Sequence, residues 1–80
     1  MKWHYFTVFD EYLGMEQRFR WRESLCDFSG PGGVGYQFQL YCGLCGKYES
    51  IMDFIDLDDG IEYCHDYDFR YFYREFHQFF

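Results

Sequence analysis

Tyr36-Gln37-Phe38-Gln39-Leu40-Tyr41-Cys42-Gly43-Leu44-Cys45-Gly46-Lys47-Tyr48-Glu49 is the stretch on which the reading of the fold turns. Residues 36–40 alternate strictly, with Tyr36, Phe38 and Leu40 on one face and Gln37 and Gln39 on the other, the period of a half-buried strand. The strand runs directly into Cys42-Gly43-Leu44-Cys45-Gly46, where the final glycine supplies the positive φ of a tight turn. Lys47-Tyr48-Glu49 leads out again. Strand, turn and strand predict an antiparallel hairpin at the centre of the chain.

Outward from this hairpin the chain stays rich in strand formers. Residues 2–10 are aromatic and β-branched on both faces and predict a central or covered strand. A connection at 11–14 leads to a strand over 16–23, with Phe19 and Trp21 on one face and Arg18, Arg20 and Arg22 on the other. An arginine row of this kind is expected to pair with carboxylates on a neighbouring strand; with interleaved aromatics it is also the composition that grips phosphates. Gly30-Pro31-Gly32-Gly33-Val34-Gly35 marks a loop, but no Gly-Lys-Ser/Thr follows to make it a phosphate cradle. Ser50-Ile51-Met52-Asp53 has the form of a helix capping box, with Ile51, Phe54 and Ile55 on one helical face. Asp58-Asp59-Gly60 reads as a turn. Over 61–73 the odd positions are apolar or aromatic apart from His65, which predicts a long strand; a helical reading through Ile61, His65, Phe69, Phe72 and Phe76 competes with it. Residues 74–80 read as a short helix or a tail.

The expected fold is α+β: a single compact domain over 1–80, dominated by an antiparallel β-sheet with one or two short helices and a flexible glycine-rich loop at about 29–35. An all-β domain is the alternative. Eighty residues bury little surface, yet 49% of the chain is apolar and 28% is aromatic. So many rings in so small a body leave some of them exposed, which points to a binding face.

Charge is distributed unevenly. The formal net charge is -7, and residues 49–68 hold eight carboxylates (Glu49, Asp53, Asp56, Asp58, Asp59, Glu62, Asp66 and Asp68) with no lysine or arginine. Such a block repels nucleic acid and anionic membranes and attracts basic surfaces. No segment reaches the roughly 20 apolar residues of a membrane span, and the first residues lack a signal-peptide apolar core, so the expected location is the cytoplasm, the host's for a phage-encoded chain.

In a reducing compartment the four cysteines are thiols or metal ligands. Tyr41-Cys42-Gly43-Leu44-Cys45-Gly46-Lys47-Tyr48 resembles one knuckle of the rubredoxin and zinc-ribbon proteins. That resemblance implies one structural zinc ion, with Cys26, Cys42, Cys45 and Cys64 as its ligands or His65 in place of one of them. The other reading is four reduced cysteines packed as small hydrophobes. Cys42-Gly43-Leu44-Cys45 also resembles the Cys-Gly-x-Cys site of thioredoxin-like proteins, which implies a dithiol whose first thiolate sits at a helix N-terminus.

The functional expectation is a binding protein rather than an enzyme. A small acidic, aromatic-rich module docks on a basic partner, such as a nucleic-acid-binding protein, and inhibits or modulates it, in the compositional manner of phage-encoded antagonists and DNA mimics. The expected contact residues are the eight carboxylates with Tyr67, Tyr71 and Tyr73, and no direct nucleic-acid binding is expected. Two alternatives come from other classes: a zinc-knuckle nucleic-acid-binding module using Arg18, Arg20 and Arg22 beside Phe19 and Trp21, and a dithiol redox protein.

Overall fold

The computed structural model describes residues 2–25 and 33–76, and its described side chains end at Phe72. Strands β1 (His4–Asp10), β2 (Met15–Leu25), β3 (Val34–Cys42) and β4 (Lys47–Phe54) precede helices α1 (Leu57–His65) and α2 (Phe69–Phe76). All neighbouring strands pair antiparallel in the order β1-β2-β3-β4, giving a small α+β fold. Alternation sends Val8, Phe19, Phe38, Leu40 and Cys42 to one face, where Cys64, Phe69 and Phe72 from the helices complete the core. Phe6 stacks on Phe19, and Phe69 and Tyr67 lean on Phe19 from the helical side. The opposite face carries no covering element among the described residues.

Both hairpins close through the same turn. Asp10 pairs with Met15 and Cys42 with Lys47, so each turn has four residues ending in a glycine, Gly14 at φ 69° and Gly46 at φ 72°. The Gly14 amide donates to the Asp10 carbonyl at 2.8 Å, and the Gly46 amide to the Cys42 carbonyl at 2.8 Å. The side chain that opens each turn also caps it. Asp10 Oδ1 accepts the Tyr12 and Leu13 amides at 2.9 and 3.3 Å, and Cys42 Sγ accepts the Cys45 amide at 3.0 Å. Asp10 is buried, and its second oxygen is satisfied by Gln17 Nε2 at 3.0 Å, as a buried carboxylate requires.

Several expectations change. Strand β1 lies at an edge of the sheet, not its centre, with Tyr5 and Phe9 exposed. Residues 50–54 continue β4 rather than opening a helix; the bulge at Phe38/Gln39, where Ile51 is the extra residue, turns Ile51 and Phe54 onto the core. The true helix start is Asp56, whose carboxylate accepts the Asp58 amide at 2.9 Å. Gly60 is not in a turn but in α1, buried where a Cβ would overlap the Phe38 ring. The long strand expected over 61–73 is instead two helices broken at residues 66–68. Its odd positions contain two series four residues apart, 61/65/69/73 and 63/67/71, and each of those is a helical stripe. Of the glycine-rich loop, residues 29–32 lie outside the described residues, and the chain is already strand from Val34.

Candidate functional site

Helix α1 and the start of α2 gather the acidic block. Asp56 caps α1, Asp58 and Asp59 occupy its first turn, and the Asp66 amide closes its last turn on the Glu62 carbonyl at 3.1 Å. Asp68 does for α2 what Asp56 does for α1, accepting the Arg70 amide at 3.0 Å and pairing with the Arg70 side chain at 3.4 Å. Helix starts favour negative charge, so part of the block has a local structural reason. Capping leaves the charge in place, however, and these helices present it to solvent.

Between the two helices and the end of β4 lies an open groove of about 650 Å³, lined by Phe54, Asp59, Glu62, Tyr63, Asp66, Tyr67, Asp68 and Tyr71. Six of these were expected from sequence: Asp59, Glu62, Asp66, Asp68, Tyr67 and Tyr71. Among the described residues no lysine or arginine lines it. The rings form a connected wall, Phe54 to Tyr63 at 5.2 Å and Tyr63 to Tyr67 at 5.6 Å. Burial, with smaller contributions from neighbouring groups, pushes the Tyr63 and Tyr67 hydroxyls above their ordinary value, so they remain neutral at physiological pH. Desolvation pushes the Asp68 carboxyl up, but the Arg70 hydrogen bonds and charge and the Tyr71 amide together hold it below its ordinary value.

The remaining expected contact residues lie elsewhere. Glu49 is on β4, ion-paired with Lys47 at 3.7 Å. Asp53 is exposed on β4, in register with Gln37. Asp56 and Asp58 are exposed at the α1 start, outside the groove wall. Tyr73 belongs to α2, and its side chain lies outside the described residues. Tyr63 and Phe54 were missed by the sequence reading. The spacing of Tyr63, Tyr67 and Tyr71 was the signal that would have found Tyr63, once the segment was recognised as helical.

The arginine row takes different partners from those expected. Arg20 Nε donates to Gln39 Oε1 at 2.7 Å and Arg22 Nε to Gln37 Oε1 at 2.9 Å, and none of the three arginines is in an ion pair among the described residues. Phe19 and Trp21 face the core, so the rings beside the arginines are others: Arg18 lies 3.9 Å over Tyr41, Arg20 3.9 Å over Trp3 and 4.0 Å over Tyr48, and Arg22 4.4 Å over Trp3.

The cysteines are spread across the fold. Cys42 and Cys45 share the second hairpin turn, Cys64 is buried on the inner face of α1, and Cys26 lies outside the described residues. Among the described residues no three His, Cys, Asp or Glu side chains converge as a metal site would need. His65, next to Cys64, is exposed and packs its ring 6.2 Å from Phe6. The knuckle-like geometry itself is reproduced by Asp10 in the first hairpin, so this chain forms the turn without sulfur. Cys42 ends a strand rather than standing at a helix N-terminus. A hydrogen bond with the Cys42 side chain, followed by desolvation and nearby negative charge, raises the Cys45 thiol above its ordinary value, the opposite of an activated thiolate.

Compared with protein-family models, curated proteins and solved structures, the chain matches none.

Proposed function

We propose that this protein is a small binding module that seats a basic segment of a partner protein in the acidic, tyrosine-lined groove, and that by covering the partner's cationic surface it inhibits or modulates it. The observation that carries this reading is the composition of the groove wall: four carboxylates, of which Asp68 alone is paired, with Arg70, and three tyrosines, with no lysine or arginine among the described wall residues. Carboxylates take lysine and arginine as ion pairs, and the neighbouring ring faces add cation–π attraction. A surface ion pair contributes about 0–1 kcal/mol and an exposed cation–π contact about 0.5–1 kcal/mol. Summed over the wall these contacts give roughly 1.5–7 kcal/mol before the cost of association, so a short cationic peptide is expected to bind weakly, with a dissociation constant on the order of a millimolar at low salt. A natural partner that binds more tightly does so by covering surface beyond the groove.

The test is titration of a labelled arginine-rich octapeptide at 20 and 200 mM salt, with an octapeptide of scrambled neutral composition as control. The expected result is saturable binding of the cationic peptide alone, weakened by salt and reduced at least fivefold in Glu62→Gln/Asp66→Asn. Equal binding by that variant, with an unchanged melting temperature, would refute the groove as the docking site.

A further inference from the structure

We infer that the face of the sheet opposite the acidic groove, which no described element covers, binds single-stranded nucleic acid. The inference rests on charge, planar surface and shape found together on one face. Arg18, Arg20 and Arg22 alternate along β2, so successive guanidinium groups leave the strand about 7 Å apart and form a ladder of positive charge. Each has its guanidinium carbon within 4.4 Å of a ring centroid, and Gln39 and Gln37 hold two of them by Nε. Guanidinium groups hold phosphate through their forked donors, and Arg18 and Arg22, each with one ring against it, offer a base a plane to stack on, whereas Arg20 is already covered by Trp3 and Tyr48 and contributes charge. Beside Arg18 is a shallow depression of about 250 Å³ whose outer walls include Tyr5, Thr7 and Tyr48. Tyr5 is 64% exposed and meets Tyr48 edge-on at 6.2 Å, so the depression is a ring-walled seat next to a cation.

The net charge of the chain does not decide against this. Two carboxylates, Glu16 and Asp53, share the face, and neither is ion-paired with its arginines. The groove carboxylates lie one layer behind the sheet, roughly 10 Å away for packed layers, beyond the screening length of about 8 Å at physiological salt; at 20 mM salt that length is about 20 Å, so their repulsion there opposes, without cancelling, the direct arginine contacts. A face carrying exposed Tyr5 and guanidinium planes suits splayed bases; a duplex, whose bases are stacked inward, offers it phosphates alone. An acidic protein segment likewise supplies charge without rings.

The experiment is fluorescence polarisation of fluorescein-labelled dodecamers of deoxythymidine and uridine. Saturable binding at 20 mM salt is expected, with a log–log salt slope of about −2 for three phosphates contacted on a single strand. Arg18→Ala, Arg20→Ala and Arg22→Ala should each weaken binding at least fivefold. Arg18→Lys, which keeps the charge and loses the plane and forked donors, should fall between wild type and Arg18→Ala. Circular dichroism melts establish that each variant is folded, and Glu62→Gln/Asp66→Asn, altered only in the groove, should bind the dodecamers at least as well as wild type. Absence of binding at 20 mM salt would overturn the inference. So would equal affinity for a duplex of the same length or for polyglutamate, or loss of binding in the groove variant.

Discussion

Asp10 and Cys42 stand at the same position of two hairpin turns and do the same thing, accepting a backbone amide with the side chain while the carbonyl accepts the amide of a glycine four residues on. Asp10 is the more deeply committed, since it also holds Gln17 Nε2 inside the protein. Asp10→Ala removes the acceptor of the buried Gln17 Nε2 bond together with the cap of two turn amides, and loss of a buried hydrogen-bond partner costs about 1–3 kcal/mol, so a loss of roughly 1–3 kcal/mol is expected by urea unfolding. Cys64 gives a pH dependence of known sign. Desolvation pushes its thiol from an ordinary 9.0 up to about 12 in the folded protein. A raised folded value means that its contribution is complete below about pH 9 and is lost as pH rises toward 12. Stability measured by urea should therefore decline across that alkaline range, and the decline should shrink in Cys64→Ala. Iodoacetamide at pH 8 should label Cys64 only through unfolding; modification as fast as that of exposed Cys45 would contradict the buried placement.

At the scale of elements, α1 is fitted to the sheet by the absence of a side chain. Gly60 sits over the Phe38 ring, so Gly60→Ala sets a helix-propensity gain of about 1 kcal/mol against overpacking of a core ring, which costs about 1–3 kcal/mol. The overlap is with a fully buried ring at the sheet centre, so the expected net loss is about 1–2 kcal/mol, read as a lowered melting temperature with unchanged helix content in the folded state. The four strands were legible because alternation, aromatic content and the turns at 11–14 and 43–46 all agreed. One or two short helices were expected, and a helical reading through Ile61, His65, Phe69, Phe72 and Phe76 competed with the strand, but their placement was not legible, for a physical reason. Their aromatics serve both the core and the groove wall, so rings occur on more than one helical face and produce a false period of two. The local cue that outweighs that period is capping, with Asp56 and Asp68 each placed two residues before the amide they accept. Once those starts are recognised, Tyr63, Tyr67 and Tyr71 fall on one stripe, and most of the groove follows from sequence. The rings beside the arginines were hidden more deeply, because Trp3, Tyr41 and Tyr48 come from the chain before β1 and from two other strands, joined only by sheet register.

For the whole molecule, the consequence of the fold is a separation of charge that the net value of -7 averages away. One side has a groove of carboxylates and tyrosines with no lysine or arginine among its described wall residues, and the other has three arginines laid on rings. Pairing of the arginines with the acidic block would have cancelled both surfaces. Their use of glutamine and aromatic partners instead keeps both available. Charge reversal should act on one side at a time: Glu62→Lys/Asp66→Lys should abolish cationic-peptide binding, and Arg18→Glu/Arg22→Glu should leave it unchanged or strengthen it, both read by isothermal titration. The most direct measurement is the amide NMR spectrum of labelled protein titrated with the arginine-rich octapeptide. The predicted result is progressive shifts confined to residues 59–71 and Phe54, with Arg18, Arg20 and Arg22 unmoved; shifts centred on the open sheet face, or none at millimolar peptide, would contradict docking in the groove.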